Sequence, residues 1–88
     1  MNMLQMLKID LGITTTAYDE RLQQYLNSAK AEIERQGATL DTTNVLADAQ
    51  LCVMYAAWMW RKRDDMVAMP RMLRYALNNR IFAEKVSG

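Results

Sequence analysis

Residues 51–60 read LCVMYAAWMW, ten apolar side chains in unbroken succession in an 88-residue chain. An element with no polar position has no face to give to water, so it must be covered all round. Ala, Leu, Met, Gln and Arg are plentiful around it, β-branched residues are thinly spread, and there are only 3 Gly and 1 Pro. Helix formers therefore dominate and strand formers are scarce. The run cannot cross a bilayer, which needs about 20 apolar residues, so no membrane partner is expected. Residues 1–88 read as one helical domain, neither divided nor disordered, because a chain of this size buries only about 60% of its unfolded surface.

The remaining elements follow from apolar spacing and breakers. Met3, Leu4, Met6, Leu7 and Leu11 form a short amphipathic stretch over residues 2–11, and Gly12 stands where a helix C′ residue belongs. Three threonines then break the pattern, and Thr16 or a neighbour of Tyr18 is expected to cap the second helix, whose first turn carries Asp19 and Glu20. Tyr18, Leu22, Tyr25, Leu26, Ala29 and Ile33 make the clearest amphipathic stripe, ending at Gly37. Asp41, Thr42 or Thr43 is expected to cap a third helix over about residues 44–63.

Residues 64–69 read as a loop, and Pro70 suits the first turn of a fourth helix. Its expected inward stripe is Met69, Met72, Leu73, Ala76, Leu77 and Ile81, with Arg71, Arg74 and Asn78 on a polar ridge. The helix is expected to fray after Asn79, leaving residues 85–88 as a flexible tail. The fold class is thus all-α, a small bundle of about four helices: one short at the N-terminus, two long, one C-terminal.

Three other short helices are not expected to cover the whole circumference of the third, so a second subunit is expected to supply the remainder. The net charge of +1 advertises no partner. Its distribution is uneven: residues 1–60 hold four bases and seven acids, 4 − 7 = −3, and residues 61–88 hold seven bases and three acids, 7 − 3 = +4. Such a split favours head-to-tail contact between copies. The cluster Arg61, Lys62 and Arg63 ends the third helix, where cations complement the helix dipole. Asp64 and Asp65 neutralise much of it.

The groups that do chemistry are missing. There is no His, the lone Cys52 lies inside the apolar run, and no carboxylate pair sits in an apolar setting, so no catalytic residue and no enzymatic activity are expected. No Cys or His spacing fits a metal and no glycine-rich loop fits a phosphate, so neither metal nor cofactor is expected. The eight Met residues read as core and interface fillers. A lone buried thiol implies an intracellular protein, and residues 1–11 have none of the marks of a signal peptide.

Taken in order, the short first helix, the second with Asp19, Leu22, Leu26, Ala29 and Ile33, the run YAAWMWRKR at residues 55–63 and PRMLR at residues 70–74 resemble the head-tail connector proteins of tailed bacteriophages. The resemblance covers almost the whole chain. It implies a structural, head-completing adaptor at the head-tail junction of the virion, made in the host bacterial cytoplasm. Such a protein forms a ring of about a dozen subunits. The ring lies below the portal protein, meets the next connector or tail protein, and extends a channel through which DNA passes without sequence-specific binding.

Within that reading, Leu22, Leu26, Ile33, Val53, Met54, Ala57, Leu73 and Leu77 are the expected core. Tyr55, Trp58 and Trp60 are the expected subunit interface, because aromatics concentrate at interface centres. Arg61, Lys62, Arg63, Arg71 and Arg74 are expected to face a neighbour's acids or the DNA in the channel, and the first is favoured because a dense basic lining would hold sliding DNA back. The alternative is a small DNA-binding regulator of phage or bacterial origin, with the fourth helix as its recognition helix. A generic dimerisation module is a third reading.

Overall fold

A computed structural model describes residues 2–87. Four helices follow one another: α1 (Met3–Leu11), α2 (Asp19–Arg35), α3 (Leu46–Lys62) and α4 (Arg71–Ser87). No strand occurs among the described residues. The fold is the expected all-α bundle.

α1 starts on a reciprocal cap, in which the Gln5 N–H donates to Asn2 Oδ1 at 2.8 Å and the Asn2 N–H donates to Gln5 Oε1 at 3.2 Å. It stops at Gly12, whose φ of 72° suits a residue without Cβ. No side chain caps α2, contrary to the expectation placed on Thr16 and the neighbours of Tyr18. Thr15 Oγ1 accepts from the Ala17 N–H in the turn itself, and Asp19 is used to tie α2 to α1 through Lys8 Nζ, 2.7 Å away. α3 begins at Leu46, later than the expected Asn44, and Val45 at its cap makes no side-chain bond. Asp41 instead organises the preceding turn: its Oδ1 accepts from the N–H groups of Thr43 and Asn44 at 3.3 and 3.0 Å.

α1, α2 and α4 each pack on α3, and α1 also meets α2. Leu7, Leu22, Leu26, Ile33, Cys52 and Leu73 have essentially no exposed surface, and burial of each large apolar side chain contributes about 1.5–3 kcal/mol. Of the expected core, only Met54 is half-buried rather than buried. Nine residues of α3 are buried, Tyr55 and Trp60 among them. Its cover is therefore largely internal, which corrects the expectation that three short helices could not enclose it. Ala38 and Leu40 of the α2–α3 connector complete the enclosure. The molecule measures 41 × 30 × 18 Å, about two helix layers in its thin direction.

Two expectations for α4 are corrected. Met72 is 76% exposed, because Leu73 and Leu77 set the inward direction and a helix turns about 100° per residue. The helix also runs past Asn79 to Ser87, so the expected tail is helical as far as it is described, and Gly88 lies outside the described residues. Polar contacts anchor the extra turns. Arg80 Nε donates to Asp48 Oδ1 at 2.9 Å, the Thr39 N–H donates to Glu84 Oε1 at 2.8 Å, and Arg80 Nη1 lies 3.4 Å from Glu84 Oε2. Pro70 precedes the first helical residue, and its carbonyl accepts from the Arg74 N–H at 3.0 Å.

Candidate functional site

The three aromatics expected at an interface are mostly committed within the chain. Tyr55 and Trp60 are only 6% and 8% exposed. Trp60 takes edge contacts from the rings of Tyr18 and Tyr25, both with centroids 5.6 Å away. Trp58 is half-buried, stands edge-on to Tyr55 at 5.5 Å and donates its Nε1–H to the Val67 carbonyl at 3.0 Å. These contacts pin the loop after α3 to the helix, and Trp58 is the one of the three with surface to offer.

The basic cluster divides in the same way. Arg61 reaches back to Asp10 of α1 at 3.4 Å. Lys62 Nζ stands 4.0 Å from the Trp58 ring centroid, and the Arg63 guanidinium 3.7 Å from that of Trp60, both in the range of cation–π attraction. Arg63 also donates to the Trp60 carbonyl at 2.6 Å, the role expected of a cation at a helix C-terminus. Lys62, Arg63 and Trp58 line a cleft of about 620 Å³ that Met66 and Val67 share. Arg71 and Arg74, on the first turn of α4, are exposed, and neither guanidinium makes a hydrogen bond or ion pair among the described residues. They alone of the five cations are uncommitted.

Two features escaped the sequence reading. The first is the outward face of α4, where Met72, Tyr75, Phe82 and Val86 are all exposed, Phe82 by 66% and Tyr75 by 59%. With the exposed Asn79 they fall at successive spacings of three, four, three and four, the seam period of packed helices. That period is visible in the sequence once the inward stripe is set aside; α4 is apolar on two opposite faces. The second is the clasp at Asp48, which is 3% exposed. One carboxylate oxygen accepts from Arg80 and the other from the Asp41 N–H at 2.9 Å. No local pattern joins residues that lie 32 positions apart.

Protonation follows these contacts. Burial pushes the Cys52 thiol up to about 11, which keeps it neutral and a poor nucleophile. Burial likewise raises Tyr55, with the Glu32 charge adding to it. Hydrogen bonds from the side chain and N–H of Thr39, helped by Arg80, hold the Glu84 carboxyl below its ordinary value. Bonds to Asp48 raise Arg80 further. No group of three or more His, Cys, Asp or Glu gathers among the described residues, and no helix is long and apolar enough to cross a membrane. What the surface offers is apolar area with flanking charge, which is the chemistry of protein contact.

No curated protein and no solved structure matches the chain. A family model described as phage gp6-like head-tail connector protein matches residues 1–83, which takes in α1, α2, α3 and most of α4. The chain belongs to the phage gp6-like head-tail connector family.

Proposed function

We propose that this protein is the repeating unit of a ring below the portal, at the head-tail junction of a tailed phage. The ring extends the DNA channel, completes the head after packaging and passes the tail or a further connector its docking surface. Family membership across residues 1–83 carries this reading. The exposed apolar stripe of α4 supports it, since a face of Tyr75, Phe82 and Val86 is stable in an assembly and costly in water. The subunit is made in the host cytoplasm and acts in the virion. Its partners are copies of itself, portal and tail proteins, and DNA that passes without sequence-specific binding.

Of the expected interface aromatics, Trp58 retains a role beside the cleft, and the free Arg71 and Arg74 are the cations placed to meet a neighbour's acids. The regulator reading fits less well, because apolar Tyr75 and Phe82 occupy the outward face of α4 that a recognition helix would turn to base edges.

Native mass spectrometry of the untagged protein, alone and with portal, tests the proposal. A closed species of about a dozen subunits, alone or templated on portal, is the expected result. A protein that stays monomeric even with portal overturns it, as does a dimer whose duplex-DNA binding falls steeply with salt. Replacing Arg71 and Arg74 together by Ala is expected to weaken assembly while leaving the monomer fold intact.

A further inference from the structure

α4 is apolar on two faces and packs only one of them, against α3 and the 37–40 connector. A second apolar surface lies on another side of α3. There α1 and α3 border two hollows of about 430 and 470 Å³ that share Met6, and so form one groove. The α1 wall is Met3, Met6 and Ile9 and the α3 wall is Leu46, Gln50 and Met54, while Asn2, Thr42, Thr43 and Asn44 make one end polar. Ile9 and Leu46 are each about two-thirds exposed, so the groove is open along its length.

We infer that this groove receives the outward face of α4 from a second copy of the chain, in a head-to-tail contact. The inference rests on the connector reading and specifies which surfaces of the subunit meet. Three correspondences select this occupant. Apolar residues meet apolar residues: Met72, Tyr75, Phe82 and Val86 are the knobs for a channel floored by Met6, Val53 and Met54. The one polar residue in the middle of the α4 seam, Asn79, matches the one polar residue in the middle of the groove, Gln50; a single polar pair inside an apolar helix contact fixes its register.

The charges agree as well. Arg71 and Arg74 stand at one end of α4 and Lys85 at the other. Asp10, whose exposed carboxylate also lies 3.4 Å from Arg61, lines one end of the groove, and Asp41 stands behind Asn44 at the opposite end.

Size explains why such a contact needs a closed assembly. A 17-residue helix is about 25 Å long and about 10 Å wide, which places the contact at or below the roughly 800 Å² per partner of a stable pair. One contact is weak, but two per subunit around a closed circle reinforce one another.

Two double variants test the contact, Tyr75→Asp/Phe82→Asp on α4 and Ile9→Asp/Leu46→Asp in the groove. All four positions are exposed, so circular dichroism is expected to match wild type. Native mass spectrometry over a hundredfold concentration range is expected to show wild type assembling, each variant alone as monomer, and a mixture of the two giving a one-to-one dimer and nothing larger. A groove variant that assembles like wild type overturns the inference, and so do variants that both assemble. A wild type that stays monomeric alone but is recruited by portal overturns self-docking and leaves the connector reading standing.

Discussion

α1, α2 and α3 bury their apolar stripes against one another, whereas α4 buries one stripe on α3 and leaves a second in water. Leu22, Leu26 and Ile33 on α2 face an enclosed interior, while Phe82 and Tyr75 on α4 are more than half exposed. The means of attachment differ too. Side-chain packing holds the first three helices, and among the described residues of α4 only Leu73 and Leu77 are buried, so α4 leans on the polar clasp from Arg80 to Asp48 and from Glu84 to Thr39. A small domain built this way carries a self-sufficient part and a presented part.

The sharpest way to break that division is to empty the core. Leu22→Ala removes a fully buried side chain and is expected to cost about 3–5 kcal/mol in chemical denaturation, with all helices lost in one transition. A smaller loss that leaves α2 folded would show that the first three helices are not a single unit. Arg80→Met comes next. It leaves the buried Asp48 carboxylate with only the Asp41 N–H, at an expected cost of about 2–3 kcal/mol. Hydrogen exchange is expected to speed up first in α4 and the 38–41 connector; acceleration spread evenly over α1 to α3 would contradict the proposed division.

The gentlest probe is pH, read at Glu84 in α4 and at Cys52 and Tyr55 in α3. Glu84 has its folded pKa depressed, so its contribution is present above the ordinary carboxylate value of 4.5 and is lost as pH falls through the depressed value. Acid below the ordinary value of 4.5 is expected to loosen the end of α4, visible as faster amide exchange there. Cys52 and Tyr55 have raised values, from 9.0 to about 11 for the thiol and upward from 10.0 for the phenol. Their contribution is full below the unfolded values and is lost as pH climbs through the folded ones. Alkali is expected to act on the core instead, with the thiol reacting only as α3 opens.

The elements of this fold were legible in the sequence because they rest on local rules. Gly12 ends α1 as its position requires, the α2 stripe is buried as spaced, and Leu73 and Leu77 face inward. Caps were less legible, since Tyr18 and Val45 stand at helix starts with no side-chain bond and Asp41 serves a turn instead. Burial of the aromatics was less legible, because the apolar run drew attention to Tyr55 and Trp60 as surfaces for a partner and both are enclosed within the chain. Trp60 meets the rings of Tyr18 and Tyr25, long-range contacts that no window of sequence displays, and Tyr55 stands edge-on to Trp58. The same run masked α4, whose two stripes overlap on one short segment and read as one blurred pattern.

The clasp at Asp48 also has a geometric consequence. Arg80 touches Asp48, Thr39 and Glu84 at once, so turning α4 by a single residue, about 100°, would strand a buried carboxylate. α4 thus has one angular setting on α3, and the bearing between its outward stripe and the α1–α3 groove is fixed before any second copy arrives. In the head-to-tail ring proposed above that bearing sets the curvature, so the Asp48–Arg80 pair, inside one subunit, bears on how many copies close the circle.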